Sequence, residues 1–132
     1  MAKVLVSGAS GFIGYHLARV LIDHGEQVTC LVRKTSNVDR LKELPVDLAY
    51  GDVTDPVSLT QAIAGKSVVY HLAGLIKAFG PADLLRVNEA GVRNVAAACA
   101  ELDDPPVLIV VSSLAAAGTA PEGRLRTEDD PP

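Results

Sequence analysis

Short apolar runs alternate with amphipathic segments along this chain, and the alternation predicts strands that alternate with helices. Apolar residues are nearly continuous in five short stretches, at positions 3–7, 27–32, 46–50, 67–71 and 107–112. Between these stretches apolar residues recur at helical spacing, as in the segment 12–24. The pattern predicts an α/β fold with a doubly wound parallel sheet of five strands in the order 3-2-1-4-5.

Polar and turn residues set the expected ends of these elements. Gly25 is expected to end the first helix, and Ser36 with Asp39 resembles a capping box that opens a short second helix. Asp55 before Pro56 is typical of a helix N-cap. We expect a loop over 74–86 around Gly80-Pro81, a long helix from Val92 to Leu102, and a fifth strand covered on both faces. Residues from Thr119 onward are expected to be loop.

The connection between the first strand and the first helix contains three regularly spaced glycines, Gly8, Gly11 and Gly14. Gly8 permits a tight turn, Gly11 lets backbone N–H groups approach a pyrophosphate, and Gly14 lets the helix pack close to the strand. The helix N-terminus adds a partial positive charge. A glycine-rich turn alone is weak evidence, but its place between a strand and a helix near the N-terminus predicts a dinucleotide site.

The amino-acid composition limits the classes of protein to which this chain can belong. The chain has 132 residues, 48% of them hydrophobic and 21% charged, which predicts one globular domain. Its apolar runs are too short for a membrane span or a signal peptide, so we expect a cytoplasmic protein without a membrane partner. Cys30 and Cys99 are predicted to be small buried hydrophobic residues. The three histidines are scattered along the chain and give little support to a metal site.

Charge is unevenly distributed along the chain. Residues 1–40 carry five Lys or Arg against three Asp or Glu, whereas residues 101–132 carry two against seven. This suits an anionic small ligand near the N-terminal half, and the lack of a basic stripe with interleaved aromatic residues argues against nucleic acid as a partner. The alternative is that the acidic end is a solvated loop.

The end of the second strand carries Arg33 and Lys34. Folds that prefer NAD place an acidic residue there, roughly 20 residues beyond the glycines, to bind the ribose hydroxyls. A guanidinium can pair instead with a 2′-phosphate, so Arg33 predicts NADP(H), with NAD as the alternative. Ser10 and Ser36 could add hydroxyl contacts. The alternative interpretation is that Arg33 and Lys34 are only a solvated end of the strand and recognise no phosphate.

The turn Gly-Ala-Ser-Gly-Phe-Ile-Gly at 8–14 resembles the extended branch of the short-chain dehydrogenase/reductase superfamily, the NAD-dependent epimerase/dehydratase family. The resemblance covers essentially all 132 residues and implies a Rossmann domain that is the N-terminal portion of a longer enzyme. It also implies contacts to the cofactor from a set of residues in six parts of the chain: Gly8, Ser10, Gly11, Phe12, Ile13, Gly14, Arg33, Lys34, Ser36, Asp52, Val53, Leu72, Ala73, Gly74, Asn88 and Ser112.

Several of these roles rest on the resemblance alone. Asp52-Val53 resembles the pair beside the adenine ring, and the segment Leu72 to Gly74 resembles the lining of the cofactor's central ribose and phosphates. Asn88 matches an asparagine that stabilises a helix kink and a water chain in the family. His71 is interpreted as a satisfied, half-buried histidine rather than a proton-transfer group.

The strand and turn 110–118 resembles the segment that carries the family's catalytic serine or threonine, which corresponds to Ser113. In that chemistry the hydroxyl binds the substrate carbonyl, and a tyrosine in a Tyr-x-x-x-Lys pair transfers the proton. Tyr15, Tyr50 and Tyr70 have no lysine four residues later. The resemblance therefore implies truncation before that motif, an inactive 132-residue chain, and an open strand edge that favours a homo-oligomer.

Taken together, the sequence predicts an NADP(H)-preferring oxidoreductase, similar to dihydroflavonol reductase-like carbonyl reductases. It would transfer hydride between nicotinamide and a carbonyl or hydroxyl carbon of a small-molecule substrate. Two alternatives stay open: a nucleotide-sugar epimerase or dehydratase that uses NAD, and a non-catalytic dinucleotide sensor.

Overall fold

A computed structural model describes residues 1–77, 80–120 and 122–130. Its five strands form one parallel sheet in the order β3-β2-β1-β4-β5, which confirms the predicted fold class and strand order. The strands are β1 Lys3–Ser7, β2 Gln27–Val32, β3 Asp47–Tyr50, β4 Val68–His71 and β5 Val107–Val110.

Helices connect the strands and cover the sheet. They are α1 Phe12–Asp23, α2 Asp39–Lys42, α3 Pro56–Ile63, α4 Pro81–Leu84 and α5 Ala90–Ala100, with a π-helical turn Leu85–Glu89 between α4 and α5. A 3₁₀ turn, Leu114–Ala117, follows β5. Asp55 caps α3 as expected, accepting a hydrogen bond from the Val57 N–H at 3.1 Å.

Two apolar clusters, one on each face of the sheet, form the core. On one face α1 and α2 pack Ala18, Leu21 and Leu41 against Val4 and Val6 of β1. On the other face the core contains residues of α3 and α5 together with strand residues: Leu59, Ile63, Val95, Ala98, Cys99, Leu5 and Val69. Both cysteines are buried and free, as predicted.

The expected loop over 74–86 is wrong from Pro81 onward. Pro81 occupies the first turn of α4, and the helical path then runs through the π-helical turn into α5. Proline lacks an N–H that the first helical turn would leave unpaired in any case. Gly80-Pro81 therefore marks the start of a helix rather than a turn within a loop.

The capping box at Ser36 is also wrong. The Ser36 hydroxyl accepts a hydrogen bond from the Arg33 N–H at 3.1 Å, while the Asn37 side chain accepts one from the Asp39 N–H at 3.0 Å. The Ser36 N–H donates to the Arg33 carbonyl, so residues 33–36 close a turn. Ser36 is held by this turn after β2 and does not cap α2.

β5 is not covered on both faces. Leu108 packs beside the cluster of α3 and α5, but Val107, Ile109 and Val111 are 61%, 40% and 49% exposed. Alternation along the strand places Val107 and Ile109 on the face opposite Leu108, and Val110, on the same face as Leu108, is also 42% exposed. The continuous apolar run correctly predicted a strand, but the expectation that both of its faces are covered is wrong.

Candidate functional site

The segments that sequence reasoning assigned to a ligand meet at one edge of the sheet. The glycine turn follows β1, Arg33 follows β2, Asp52 follows β3, Gly74 follows β4 and Ser112 follows β5. Because all five strands are parallel, their carboxyl ends lie along the same edge. Open α/β sheets bind ligands outside these ends.

The glycine turn is packed too tightly to accept side chains. Gly8 has a φ of +75°, and a Cβ there would lie 2.8 Å from the Ala73 nitrogen. A Cβ on Gly14 would collide with the Gly8 carbonyl, which accepts a hydrogen bond from the Gly11 N–H at 3.0 Å. These glycines let α1 begin directly against the end of β1.

The start of α1 has the features of an anion site. Gly11 is the N-cap and offers no side chain, so no side chain caps this helix end in the described part of the chain. Ser10, Gly11, Phe12 and Ile13 are exposed around it. A cradle that excludes a Cβ and leaves the first N–H groups of a helix uncapped fits a pyrophosphate.

A buried serine and histidine tie the glycine turn to β4. The Ser7 hydroxyl accepts hydrogen bonds from the Leu72 and Ala73 N–H groups, at 3.2 Å and 3.3 Å, and lies 2.8 Å from His71 Nδ1. With two N–H groups already donating to it, the hydroxyl donates its proton to Nδ1. Sequence reasoning gave Ser7 no role, because the bond depends on the pairing of β1 with β4.

His71 is more buried than predicted. Its side chain is 1% exposed rather than half-buried, and within the described residues Nε2 has no hydrogen-bond partner. Burial lowers the pKa of His71, because the charged imidazolium loses hydration. Burial therefore favours the neutral ring, and a hydrogen bond from the Ser7 hydroxyl to Nδ1 corresponds to the tautomer with its proton on Nε2.

Arg33 and Lys34 are exposed just beyond β2, in the position expected for the adenosine ribose. The turn 33–36 positions them, since the Arg33 backbone N–H donates to the Ser36 hydroxyl and the Ser36 backbone N–H donates to the Arg33 carbonyl. Within the described ranges of the chain, neither basic side chain forms an ion pair.

Asp52 lies beside this basic segment, at the end of β3. Its Oδ1 accepts hydrogen bonds from the Thr54 N–H at 2.9 Å and from the Thr54 hydroxyl at 2.8 Å. Burial alone would raise the pKa of Asp52, but these bonds and the positive charges of Arg33 and Arg86 outweigh it and lower the pKa. Thr54 occupies Oδ1 only, so a charged carboxylate oxygen can accept from a donor such as an adenine amino group.

The neighbouring Val53 is held by α5. Its carbonyl accepts a hydrogen bond from the Asn94 side chain at 2.9 Å, and a Cβ on Gly91 would lie 2.9 Å from its Cγ2. Gly91 and Asn94 lie three and six residues beyond Asn88, but sequence reasoning assigned them no contact. Their spacing of three residues, on one side of a helix, was the available signal.

Asn88 connects the π-helical turn to the segment after β4. Its amide group donates to the Leu75 carbonyl at 2.9 Å and accepts from the Leu75 N–H at 2.7 Å. A Cβ on Gly74 would lie 3.3 Å from the Asn88 Oδ1. π-Helical turns interrupt regular helices and are frequent at functional sites, and Asn88 lies within this one.

Ser112 and Ser113 follow β5 beside an open cavity of about 550 Å³ lined by residues of α4, the π-helical turn, α5 and β5: Leu84, Leu85, Asn88, Glu89, Val92, Val110 and Ser112. Ser113 is the N-cap of the 3₁₀ turn, and its exposed hydroxyl accepts a hydrogen bond from the Ala115 N–H at 3.2 Å. This bond uses the oxygen as acceptor and leaves the hydroxyl proton available to a carbonyl group.

Two kinds of site are not found in the described ranges. No cluster of three or more His, Cys, Asp or Glu side chains could hold a metal ion there. Over the same residues, no helix is both long and apolar enough to cross a membrane.

Comparisons with known proteins identify a family. The model of the NAD dependent epimerase/dehydratase family matches residues 4–132. The chain is 40% identical over 113 residues to a ceramide reductase of Caulobacter vibrioides, which aligns 86% of this chain and 35% of the relative. It is 35% identical over 125 residues to a Synechocystis protein whose name refers to dihydroflavonol 4-reductase, aligning 93% of this chain and 36% of the relative.

A solved structure shows the same architecture. The UDP-glucose 4-epimerase of Thermus thermophilus, in complex with NAD, superposes with a TM-score of 0.82 at 27% identity and covers 98% of this chain and 44% of that one. The chain thus spans 35% to 44% of the length of these proteins. Its glycine turn, parallel sheet and matched residues place it in the NAD-dependent epimerase/dehydratase family.

Proposed function

We propose that this chain forms the dinucleotide-binding part of an NADP(H)-preferring oxidoreductase that acts on a carbonyl or hydroxyl carbon of a small organic substrate. The observation that carries the cofactor choice is Arg33, an exposed guanidinium at the end of β2 where an NAD-preferring fold has an acidic residue. A guanidinium pairs with a phosphate through two charge-assisted hydrogen bonds. A carboxylate in that place would repel the phosphate.

The other segments at this edge of the sheet would bind the remaining parts of the dinucleotide. The uncapped start of α1 and the Gly8 turn would hold the pyrophosphate, while Asp52 and Val53 would contact adenine. Lys34 and the hydroxyl groups of Ser10 and Ser36 would add donors around the phosphates. Leu72, Ala73 and Gly74 would line the path towards nicotinamide.

Ser113 is the residue proposed to bind the substrate carbonyl. Its hydroxyl oxygen is engaged by the Ala115 N–H, which fixes its orientation, and its proton remains to be donated. The nicotinamide, when bound, supplies the hydride. Proton transfer is not assigned to any of these 132 residues, because no tyrosine here precedes a lysine by four positions.

Replacing Arg33 by aspartate tests the cofactor assignment. We expect NADPH to bind the unchanged chain at least about tenfold more tightly than NADH, and Arg33→Asp to reverse that order, because a carboxylate repels the 2′-phosphate and accepts from the ribose hydroxyls. Titration of each variant with both dinucleotides measures this. Arg19→Asp makes the same charge change on the exposed side of α1 and should still bind NADPH more tightly than NADH. Equal titration curves for Arg33→Asp and the unchanged chain would refute the cofactor assignment.

A second candidate is a nucleotide-sugar epimerase or dehydratase that uses NAD. It is favoured by solved structures with bound NAD, including the Thermus thermophilus epimerase at 27% identity. The same titration discriminates the two, since this candidate requires tighter binding of NADH than of NADPH. Binding of a UDP-sugar would support it further.

A further inference from the structure

The end of β3 is attached to a helix that lies far from it in sequence. The Asn94 side chain of α5 donates a hydrogen bond to the Val53 carbonyl at 2.9 Å, across 41 positions of the chain. Gly91 is buried, and a Cβ on it would lie 2.9 Å from Cγ2 and 3.3 Å from Cβ of Val53. Val53 is itself only 7% exposed. α5 therefore contacts both the backbone and the side chain of the residue that follows Asp52.

The side-chain hydrogen bonds from Thr54 and Ser58 are local by contrast. The Thr54 N–H and hydroxyl donate to Asp52 Oδ1, two positions away. The Ser58 hydroxyl accepts from the Asp52 N–H at 3.1 Å and lies six positions away. These bonds shape the turn after β3 from within, whereas the Asn94 bond joins the turn to a helix that covers the sheet.

The helix that carries Asn94 has a fixed place on the sheet. Its Val95 side chain is 1% exposed and belongs to the same buried cluster as Leu59 of α3. A donor on a packed helix has a defined position, so Asn94 can set the position of the Val53 carbonyl. A buried carbonyl that loses its donor needs another partner, and the backbone shifts to find one.

The position of this backbone matters for the carboxylate beside it. Thr54 engages Oδ1 of Asp52, which leaves a carboxylate oxygen able to accept from a ligand. Adenine offers an exocyclic amino group as donor, whereas hypoxanthine has a carbonyl oxygen in the same place, which a carboxylate repels. An N–H···O hydrogen bond weakens outside roughly 2.7–3.2 Å, so this selection depends on where Asp52 lies.

We propose that Asn94 is a positioning residue for adenine recognition. By holding the Val53 carbonyl, it keeps the Asp52 carboxylate where it accepts from the adenine amino group. Gly91 acts with Asn94, because the lack of a side chain there lets Val53 approach α5. The inference rests on the proposed binding of a dinucleotide, but not on the choice between NADPH and NADH.

Selectivity between the two bases measures this role. The unchanged chain should bind NADPH about tenfold more tightly than its hypoxanthine analogue, because the analogue replaces a hydrogen bond to a charged group by a repulsion between oxygens. Asn94→Leu keeps a similar volume and removes the donor, so the ratio should fall below about threefold, mainly through weaker NADPH binding. Titration calorimetry with both dinucleotides gives the ratio, and urea unfolding checks that each chain is folded.

Gly91→Ala displaces the same residue in a different way. The added methyl group meets the Val53 side chain while the Asn94 donor stays in place, and we expect the same loss of selectivity. Gln61→Leu is the matched control, because it also replaces an amide by leucine, at an exposed position of α3. It should keep the ratio of the unchanged chain. If Asn94→Leu does not fold, Gly91→Ala decides the outcome.

The outcomes separate this inference from the function on which it rests. If the unchanged chain binds neither dinucleotide, the proposed function fails and the inference fails with it. If the chain binds NADPH no more tightly than the hypoxanthine analogue, or if folded Asn94→Leu keeps the ratio, the proposed function stands and the role of Asn94 is overturned. An equal loss for both dinucleotides would also overturn that role, because it would indicate a general structural effect.

Discussion

Gly14 and Gly8 are the residues at which the structure tolerates a side chain least. We expect Gly14→Ala to lower the free energy of unfolding by about 1–3 kcal/mol, because the added methyl group meets the Gly8 carbonyl backbone, which cannot move without opening the turn. Dinucleotide binding should be lost as well. Urea unfolding and titration measure the two effects.

Gly80→Ala is the matched control for that substitution. Among the described residues a Cβ at Gly80 would have no neighbour within 4 Å, and its φ of −163° is extended backbone that alanine adopts freely. Its effect should stay within about 0.5 kcal/mol. A Gly14→Ala chain as stable as Gly80→Ala would contradict the packing of the turn.

His71 should make stability depend on pH. Its pKa is lowered by burial, so below the unfolded value of 6.5 the unfolded chain binds a proton that the folded chain does not. The free energy of unfolding should therefore fall as pH decreases below about 6.5, by at most about 1.4 kcal/mol per pH unit, until the folded pKa is reached.

Urea unfolding at pH 7.5 and 5.5 measures this difference. In His71→Gln the pH dependence should be smaller than in the unchanged chain, whereas His24→Gln, at an exposed position, should retain it. An identical pH dependence in all three chains would show that His71 contributes nothing.

Residues whose role depends on local backbone were predictable from the sequence, and residues whose role depends on strand pairing were not. Gly8 was recognised because a tight turn between a strand and a helix needs a positive φ. Ser7 was missed because its partner, His71, is 64 positions away and is brought beside it only by the pairing of β1 with β4.

At the scale of elements, periodicity located the strands and long helices but not every boundary. The helical path from Pro81 was missed because α4 has four residues with none buried, so it leaves no apolar stripe. The π-helical turn then shifts the register before α5 begins at Ala90. A prediction from sequence periodicity assumes an unbroken period of 3.6 residues per turn, so it does not detect the wider turn of a π-helix.

The apolar run of β5 does not show by itself whether a helix covers the strand, because an apolar strand looks the same in either case; the open strand edge was expected only from the resemblance. Its open face predicts self-association of the 132-residue chain. Ile109 and its neighbours Val107 and Val111 are exposed on an edge strand, which can pair with a second copy. We expect a concentration-dependent oligomer in sedimentation experiments.

Ile109→Lys should shift that equilibrium towards the monomer, since a charge on an edge strand opposes pairing. Val57→Lys is the control, because Val57 is 68% exposed on α3 and away from the edge. A clean monomer of the unchanged chain at high concentration would contradict the prediction.

At the scale of the whole molecule, the parallel sheet brings five short segments to one edge, where we propose that they bind an elongated anionic ligand. Arg33 and Lys34 follow β2 on one side of β1, and Ser113 follows β5, the edge strand on the other side. Relatives are more than twice as long as the aligned part. The substrate therefore stays a proposal drawn from Ser113 alone.

The central claim is that this edge binds a dinucleotide and selects its 2′-phosphate. Titration of the 132-residue chain with NADPH and NADH, under identical conditions at physiological salt, tests it most directly. We expect saturable binding of both dinucleotides, with NADPH at least about tenfold tighter. Equal affinities, tighter binding of NADH, or no binding of either dinucleotide would contradict it.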